Sequence, residues 1–185
     1  MAYATTNIFA RLSQDPSVIL DEINKLLYNC LEGQLCMTFF AAILDSNTDK
    51  LIYANGGHCF PLLIPKDPED SRIQKRTPSY LPMIPLTNPD NSESSVLGMH
   101  GSAQFKNKEI DLKKFDRIVF YTDGLTEAKD KKNKMWGNRR MYKSITRHNP
   151  KSIDLMVDGI ITDLEDFHQQ DAYEDDVTLV IVEYC

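Results

Sequence analysis

Residues 36–55 read CMTFFAAILDSNTDKLIYAN, and this stretch decides the class of the fold. Residues 36–44 are almost all apolar but too few for a typical helix, which indicates a strand buried on both faces. Residues 45–50 are a cluster of turn formers, and residues 51–54 are a second apolar run. The stretch therefore predicts a β-hairpin, the basic unit of an antiparallel sheet.

Helices are predicted before this hairpin. Asp15 followed by Pro16 is typical of a helix start, because the carboxylate caps free N–H groups and proline suits the first helical position. Apolar residues then recur at helical spacing until Gly33, which predicts the end of the helix. A shorter helix is expected over residues 3–12.

After the hairpin, strands and helices alternate. Apolar runs predict strands over 117–121 and 177–182. Helices are expected over 138–147 and over the amphipathic stretch 153–167, with Asn149–Pro150 as the start of the second. Helices with wide apolar faces and strands joined by short turns together predict a layered α+β domain.

The chain is expected to form a single domain, residues 1–185, that contains one long loop. Six of the nine prolines lie between residues 65 and 89, so residues 65–95 are predicted to be a Pro-rich loop. The net charge of −6 argues against general nucleic-acid binding. No apolar run is long enough to cross a membrane, and no secretory signal is evident, so we expect a cytoplasmic protein that binds no membrane.

Acidic residues stand at the ends of two predicted strands. Asp123 follows the strand 117–121 and precedes Gly124, and Asp175–Asp176 precede the strand 177–182. If the strands are neighbours, the carboxylates converge, and a hard cation such as Mg²⁺ or Mn²⁺ relieves their repulsion. The plain alternative is a turn at Asp123 and a solvated acidic loop at the other end.

Two further features have ordinary structural explanations. A turn between strands accounts for residues 56–58, Gly-Gly-His. Four lysines in the segment 129–134 are typical of a solvated loop, although such a loop can also attract a phosphoprotein.

Several short motifs occur in an order that resembles one family of enzymes. They are Met37-Thr38, Leu51-Ile52-Tyr53-Ala54-Asn55-Gly56-Gly57-His58 with Pro61-Leu62-Leu63, Leu97-Gly98, Phe120-Tyr121-Thr122-Asp123-Gly124-Leu125-Thr126-Glu127-Ala128, Trp136-Gly137-Asn138-Arg139-Arg140 and Asp175-Asp176-Val177-Thr178-Leu179-Val180. Together they resemble the SpoIIE-like branch of the PPM-type metal-dependent Ser/Thr protein phosphatases over residues 4–183. The resemblance implies a layered α/β/β/α sandwich of mainly antiparallel sheets flanked by helices.

The same resemblance implies a hydrolase acting in bacterial signalling. The family carries two Mn²⁺ or Mg²⁺ ions, and a metal-bound water attacks the phosphorus of a phosphoserine or phosphothreonine, so no side chain acts as nucleophile. The implied substrate is a phosphoprotein, with an anti-sigma-factor antagonist as a candidate. Asp123 and Asp175 match metal ligands of the family. The positions that match supporting residues are Gly124, Asp176, Thr38 and His58.

One family segment, G-D-x-x-G-H-G, is not found in these 185 residues. We therefore expect a sandwich that is incomplete at the N-terminus, and an upstream sensor segment or a complementing chain as a further partner. The alternative hypothesis is a non-catalytic remnant that lacks the complete metal site and binds a phosphoprotein or a regulator.

Overall fold

The computed structural model describes residues 13–73, 82–88 and 95–185. The predicted helix over 3–12 lies outside the described residues. The elements are α1 (Pro16–Leu31), β1 (Phe39–Asp45), β2 (Lys50–Gly56), β3 (Leu62–Ile64), β4 (Ile84–Pro85), β5 (Lys108–Asp111), β6 (Arg117–Tyr121), α2 (Asp123–Glu127), α3 (Gly137–His148), α4 (Ile153–His168) and β7 (Leu179–Glu183).

These elements form two compact units. Unit 1 combines residues 1–60 with 87–112 and contains α1, β1, β2 and β5; unit 2 combines 61–86 with 113–185 and contains the other elements. Each unit has one antiparallel sheet, in the order β1-β2-β5 in unit 1 and β4-β3-β6-β7 in unit 2. The predicted α+β class with mainly antiparallel sheets is confirmed.

Helix α1 begins and ends as the sequence predicts. The Asp15 carboxylate accepts hydrogen bonds from the N–H groups of Ser17 and Val18, at 2.9 and 3.2 Å. At the other end, Glu32 adopts a left-handed conformation with φ of 47°, and its N–H bonds to the Tyr28 carbonyl. These caps satisfy backbone groups that a helix leaves unpaired.

The core of unit 1 forms where α1 packs on the sheet. Its buried members are Ile19, Leu20, Ile23, Leu27, Ala54, Leu97 and Phe105. The four residues from α1 follow the helical repeat, so one face of the helix supplies most of this core.

The β1–β2 hairpin is confirmed, with Asp45 opposite Lys50 and Phe39 opposite Gly56. The prediction that its first strand is buried on both faces is wrong. Ala42 and Leu44 are exposed, and the other residues of β1 are only half-buried. The physical reason is position: among the described residues β1 has β2 as its one strand neighbour, so it is an edge strand.

In unit 2, β6 lies inside the sheet, between β3 and β7. Helices α3 and α4 pack against each other, and α4 also packs on β7. Met156, Ile160 and Leu164 of α4 are fully buried at 0% exposure. Strand β6 is paired with β7 over residues 117–121 and with β3 over residues 117–119, so the residues that follow it leave from a strand inside the sheet.

A buried ionic network supports the start of β6. The Arg72 guanidinium donates to Asp70 at 2.9 Å and to Asp116 at 2.7 Å. Asp116 has 0% exposure and also accepts hydrogen bonds from the N–H groups of Lys66 and Lys113. Each buried charge is therefore paired, which is the condition for tolerating it in an interior.

The predicted Pro-rich loop contains ordered structure where it is described. Strand β4 pairs with β3, with Ile84 opposite Leu63, and the Leu86 N–H bonds to the Pro61 carbonyl at 2.8 Å. Leu86 is fully buried and Met83 nearly so. The apolar residues of this segment therefore pack on unit 2, while residues 74–81 and 89–94 lie outside the described residues.

The predicted start of α4 at Asn149–Pro150 is wrong. The Asn149 N–H still bonds back to the Ile145 carbonyl, and the Lys151 N–H bonds to the His148 carbonyl. These bonds complete the end of α3, so α4 begins later, at Ile153, with Ser152 as its N-cap residue.

Candidate active site at the β6–β7 edge

The acidic residues at the two strand ends lie at one edge of the unit 2 sheet. Strands β6 and β7 pair antiparallel, with Tyr121 opposite Leu179. Asp123 comes two residues after Tyr121, and Asp175 comes four residues before Leu179. The condition under which these carboxylates were expected to converge, that their strands are neighbours, is therefore met.

Two threonines fasten this edge. The Thr122 hydroxyl donates to the Asp176 carbonyl at 2.8 Å and accepts from the Thr178 N–H at 2.9 Å. The Thr122 N–H also donates to the Thr178 carbonyl at 3.2 Å. These bonds extend the pairing of β6 and β7 beyond the strands and fix the backbone of both acidic segments.

Gly124 allows the acidic segments to approach each other closely. A Cβ atom at this position would lie 2.5 Å from the Asp176 carbonyl oxygen and 3.4 Å from the Asp175 carbonyl carbon. No side chain fits at the shorter distance, so glycine is required by the approach of two backbones. Gly124 is therefore needed for the close packing of the two segments, and its role in supporting a metal site stays a prediction.

The carboxylates themselves are exposed and lightly engaged. Asp123 accepts from the Gly124 N–H at 3.1 Å, and Asp175 accepts from the Asp176 N–H at 2.8 Å. An ionised carboxylate has about four acceptor positions. Each therefore retains capacity to accept further donors or to ligate a cation.

The segment that carries Asp175 is anchored by the end of α4. Buried His168 lies with Nδ1 2.6 Å from the Lys129 carbonyl oxygen and Nε2 3.1 Å from the Ala172 carbonyl oxygen. The Tyr173 ring stacks on His168, with ring centroids 4.2 Å apart. Lys129 also pairs with Glu174, at 2.6 Å. Residues 171–176 are exposed, as the alternative of a solvated acidic loop predicts, but these contacts tie the loop to α4.

Two cavities adjoin Asp175. One, of about 270 Å³, is lined by Gly124, Lys129, Met135 and Asp175 among others. The second, of about 560 Å³, is lined by residues 173–177 and by the side of α4. Space for a ligand is therefore available on both sides of this acidic segment.

Thr38 and His58 lie together in unit 1. The Thr38 hydroxyl is 3.4 Å from His58 Nδ1. The buried Asn55 side chain accepts from the His58 N–H at 2.8 Å and donates to the His58 carbonyl at 2.9 Å. The turn predicted over residues 56–58 is wrong for its first two residues, because Gly56 ends β2 and Gly57 forms a bridge with Phe39. The Thr38–His58 contact brings together two of the residues expected to support the site.

Among the described residues, no group of three or more His, Cys, Asp or Glu side chains is arranged to hold a metal ion. Asp123 and Asp175 thus stand as a pair of oxygen donors. The sequence reasoning missed His168 and Tyr173 as anchors of this pair. Spacing offered no signal for His168, because its partners are backbone carbonyls rather than side chains.

The sequence matches the family described as Stage II sporulation protein E (SpoIIE) over residues 1–184, and the chain belongs to this family. The predicted resemblance to PPM-type phosphatases is confirmed. Within the described ranges, no helix has the length and apolar character needed to span a bilayer.

A curated relative is the phosphoserine phosphatase RsbU of Bacillus subtilis strain 168. It is 25% identical over 170 residues, which cover 90% of this chain and 44% of RsbU. The chain therefore spans less than half the length of this relative.

Solved structures share the fold. The SiaA-PP2C domain of Pseudomonas aeruginosa has a TM-score of 0.76 at 19% identity, covering 100% of this chain and 68% of that one. The RsbU and RsbW domains of Rv1364c from Mycobacterium tuberculosis give 0.71 at 18% identity, covering 99% and 46%. The SpoIIE phosphatase domain of Bacillus subtilis gives 0.57 at 12% identity, covering 99% and 73%.

Proposed function

We propose that this chain hydrolyses phosphoserine or phosphothreonine in a phosphoprotein, as a metal-dependent phosphatase of bacterial signalling. The observation that carries the proposal is the fixed approach of Asp123 to Asp175–Asp176. The Thr122 hydrogen bonds hold the two segments together, and the absence of a side chain at Gly124 allows them to come this close. A structure that only required a turn would not need two backbones so close together.

The carboxylates of Asp123 and Asp175 are the right type of ligand for a hard cation, but two carboxylates do not fill its coordination shell. Carboxylate oxygens are the ligands of Mg²⁺ and Mn²⁺, and Mg²⁺ is often held by only one or two carboxylates, with water and substrate phosphate completing its shell. Asp123 and Asp175 are the residues that would hold such an ion. The family implies two ions. When bound, the ion supplies positive charge for the phosphoryl oxygens and lowers the pKa of a water molecule.

The residues of the chain then have distinct roles. Asp123 and Asp175 bind the cation, and Gly124 and Asp176 set the distance between the two acidic segments. Since Thr122 fixes the Asp176 backbone, the site is organised before any ligand arrives, which lowers the cost of reaching a reactive geometry. Thr38 and His58 are proposed as supporting residues because they match supporting positions of the family.

The proposed substrate is a phosphoprotein, with an anti-sigma-factor antagonist as the candidate. The relatives motivate this choice, because one is named a phosphoserine phosphatase and another pairs an RsbU with an RsbW domain. We also propose that the chain acts as a single functional domain in the cytoplasm. An upstream sensor segment regulates this domain, or another chain completes it.

The direct test is phosphate release from a phosphoserine peptide by the full chain, with Mn²⁺ and with EDTA. We expect release that requires Mn²⁺ and is lost in Asp123→Asn, a variant of nearly unchanged size. Thr126→Ser, one turn away on α2, serves as a control that should keep its activity. If Asp123→Asn binds phosphoprotein normally and the wild-type chain never releases phosphate, the chain is a binding module instead.

A further inference from the structure

Charge is strongly segregated along this chain. Residues 129–151 contain nine Lys or Arg and one acid, Asp130, which gives this segment a charge of +8. The whole chain carries −6, so the other residues together carry −14. A surface of one sign on a protein of the opposite sign attracts a partner to one place.

Helix α3 concentrates these cations on one face. At 100° per residue, its basic side chains fall within an arc of about 100°. They are Arg139, Arg140, Lys143 and Arg147. The buried residues Met141, Ile145 and His148 occupy the opposite side. The basic residues are therefore presented together, away from the core.

The N-terminal half of this arrangement opposes the stability of the helix. Lys143 is four residues from both Arg139 and Arg147, so like charges are neighbours on the surface. Arg139 and Arg140 stand in the first turn, near the positive end of the helix dipole, and that turn contains no acid. Binding of an anionic ligand would relieve this repulsion between the cations of α3. The arrangement therefore favours a role in binding anions.

Few acids neutralise these cations. Arg147 pairs with Asp163 at 3.0 Å. Within the described range 129–147, the exposed cations with no ion pair are Lys131, Lys132, Lys134, Arg139 and Lys143. Asp130 is occupied in shaping the loop, since it accepts from the N–H groups of Lys132 and Lys134, both at 2.9 Å. The hydrogen bond from Lys134 is the main cause that lowers the Asp130 pKa.

A cavity of about 220 Å³ opens among these cations, between α3 and α4. Trp136, Phe167 and Lys143 are among its lining residues, together with Asp163, whose carboxylate is paired with Arg147. The Arg140 guanidinium lies 4.7 Å above the Phe167 ring and donates to the Trp136 carbonyl at 2.9 Å. An aromatic wall with a fixed cation suits one amino-acid side chain of a bound protein segment.

We propose that this basic surface docks an acidic segment of a protein. It comprises Lys131, Lys132, Lys134, Arg139, Arg140, Lys143 and Arg147. This identification rests on the proposed function: the docked protein is the phosphoprotein substrate. The basic surface adjoins the β6–β7 edge, because Lys129 and Met135 pair backbone to backbone and both line the cavity beside Asp175. A substrate docked here would present a nearby phosphoserine to Asp123 and Asp175.

A protein segment fits better than the other polyanions. Nucleic acids extend over long distances, and the −14 on the rest of the chain repels them beyond the basic surface. A flat anionic membrane would meet the same repulsion, and Trp136 is buried at 2% exposure and so is not available to insert. A short acidic segment contacts the cations and the cavity alone.

The test measures binding of a fluorescein-labelled decapeptide of alternating Glu and Ala to the full chain by fluorescence anisotropy. In Arg139→Glu/Lys143→Glu we expect the Kd to rise about tenfold or more at low salt. The matched control is Lys25→Glu/Lys114→Glu, the same charge change at two exposed residues outside the basic surface, and its Kd should stay within twofold. Added NaCl should weaken wild-type binding.

Urea unfolding checks that the double variant is folded. Arg139→Glu places an acid in the first turn of α3, and Lys143→Glu places one four residues before Arg147, so the stability of the helix should be nearly unchanged. The proposal is overturned if both double variants bind equally well, or if duplex DNA or phosphatidylserine vesicles bind at least tenfold tighter than the peptide. Failure of the phosphatase proposal looks different: the peptide still binds, and Asp123→Asn changes nothing because the wild-type chain releases no phosphate.

Discussion

Replacing Gly124 with alanine tests the construction of the site with a single methyl group. The new Cβ would lie 2.5 Å from the Asp176 carbonyl oxygen. Carbon and oxygen atoms of neighbouring chains approach to about 3.3 Å in folded proteins, so the Asp176 backbone must retreat by ~0.8 Å. This displacement separates Asp175–Asp176 from Asp123 without changing any charge.

The effect on stability is expected to be small and the effect on function large. Forcing a methyl group into a packed site costs about 1–3 kcal/mol, while alanine gains up to ~1 kcal/mol over glycine in a helix. The net loss of unfolding free energy is therefore about 0–2 kcal/mol. A misplacement near 1 Å in a catalytic site lowers activity by roughly 10²-fold.

The assay combines urea unfolding with Mn²⁺ titration by electron paramagnetic resonance. Gly137→Ala is the matched control, since its Cβ meets nothing within 4 Å but its φ of 74° makes alanine strained. Both variants should lose comparable stability, and only Gly124→Ala should lose Mn²⁺ affinity, by about tenfold or more. The reasoning is refuted if folded Gly124→Ala binds Mn²⁺ within twofold of wild type.

Three further predictions concern the same unit. Thr122→Val keeps the side-chain shape but removes the hydroxyl bond to Asp176, so unfolding free energy should fall by ~1 kcal/mol and Mn²⁺ affinity should fall with it; unchanged affinity would contradict the anchoring role. Asp116→Ala removes a buried partner of Arg72 and the acceptor of the Lys66 and Lys113 N–H groups, and should cost about 3–5 kcal/mol in urea unfolding; a loss below 1 kcal/mol would be inconsistent with this. The hydrogen bond from Arg72 holds the pKa of Asp70 well below its ordinary value, so its contribution is complete above the unfolded pKa of about 4 and is lost as pH falls further. Unfolding free energy measured from pH 6 to pH 2 should show this decline in wild type and a smaller one in Asp70→Asn.

Much of the fold could be predicted from local sequence patterns. Asp15 caps α1 as its sequence position predicts, because N-capping depends only on the next few residues. The same carboxylate also accepts from the Asn107 side chain at 2.7 Å, a contact across more than ninety residues that no local pattern indicates. Likewise, Asn149–Pro150 has the composition of a helix start, yet hydrogen bonds back to α3 decide otherwise.

The burial of β1 shows a second limit of sequence reasoning. An apolar run such as 36–44 indicates that a strand could be buried on both faces. The elements that pack beside the strand determine how much of its surface is buried. Of the candidate site, the placement of Asp123 and Asp175–Asp176 at one edge followed from strand ends. The anchoring by His168 did not, since its partners are carbonyls of Lys129 and Ala172.

A double-mutant cycle on Mn²⁺ affinity tests most directly whether Asp123 and Asp175 form one site. Calorimetric titration of the full chain is compared among wild type, Asp123→Asn, Asp175→Asn and the double variant. We predict that each single substitution removes most of the affinity and that the double variant loses little more. Two independent losses that add, or single variants that bind Mn²⁺ as wild type does, would contradict the account.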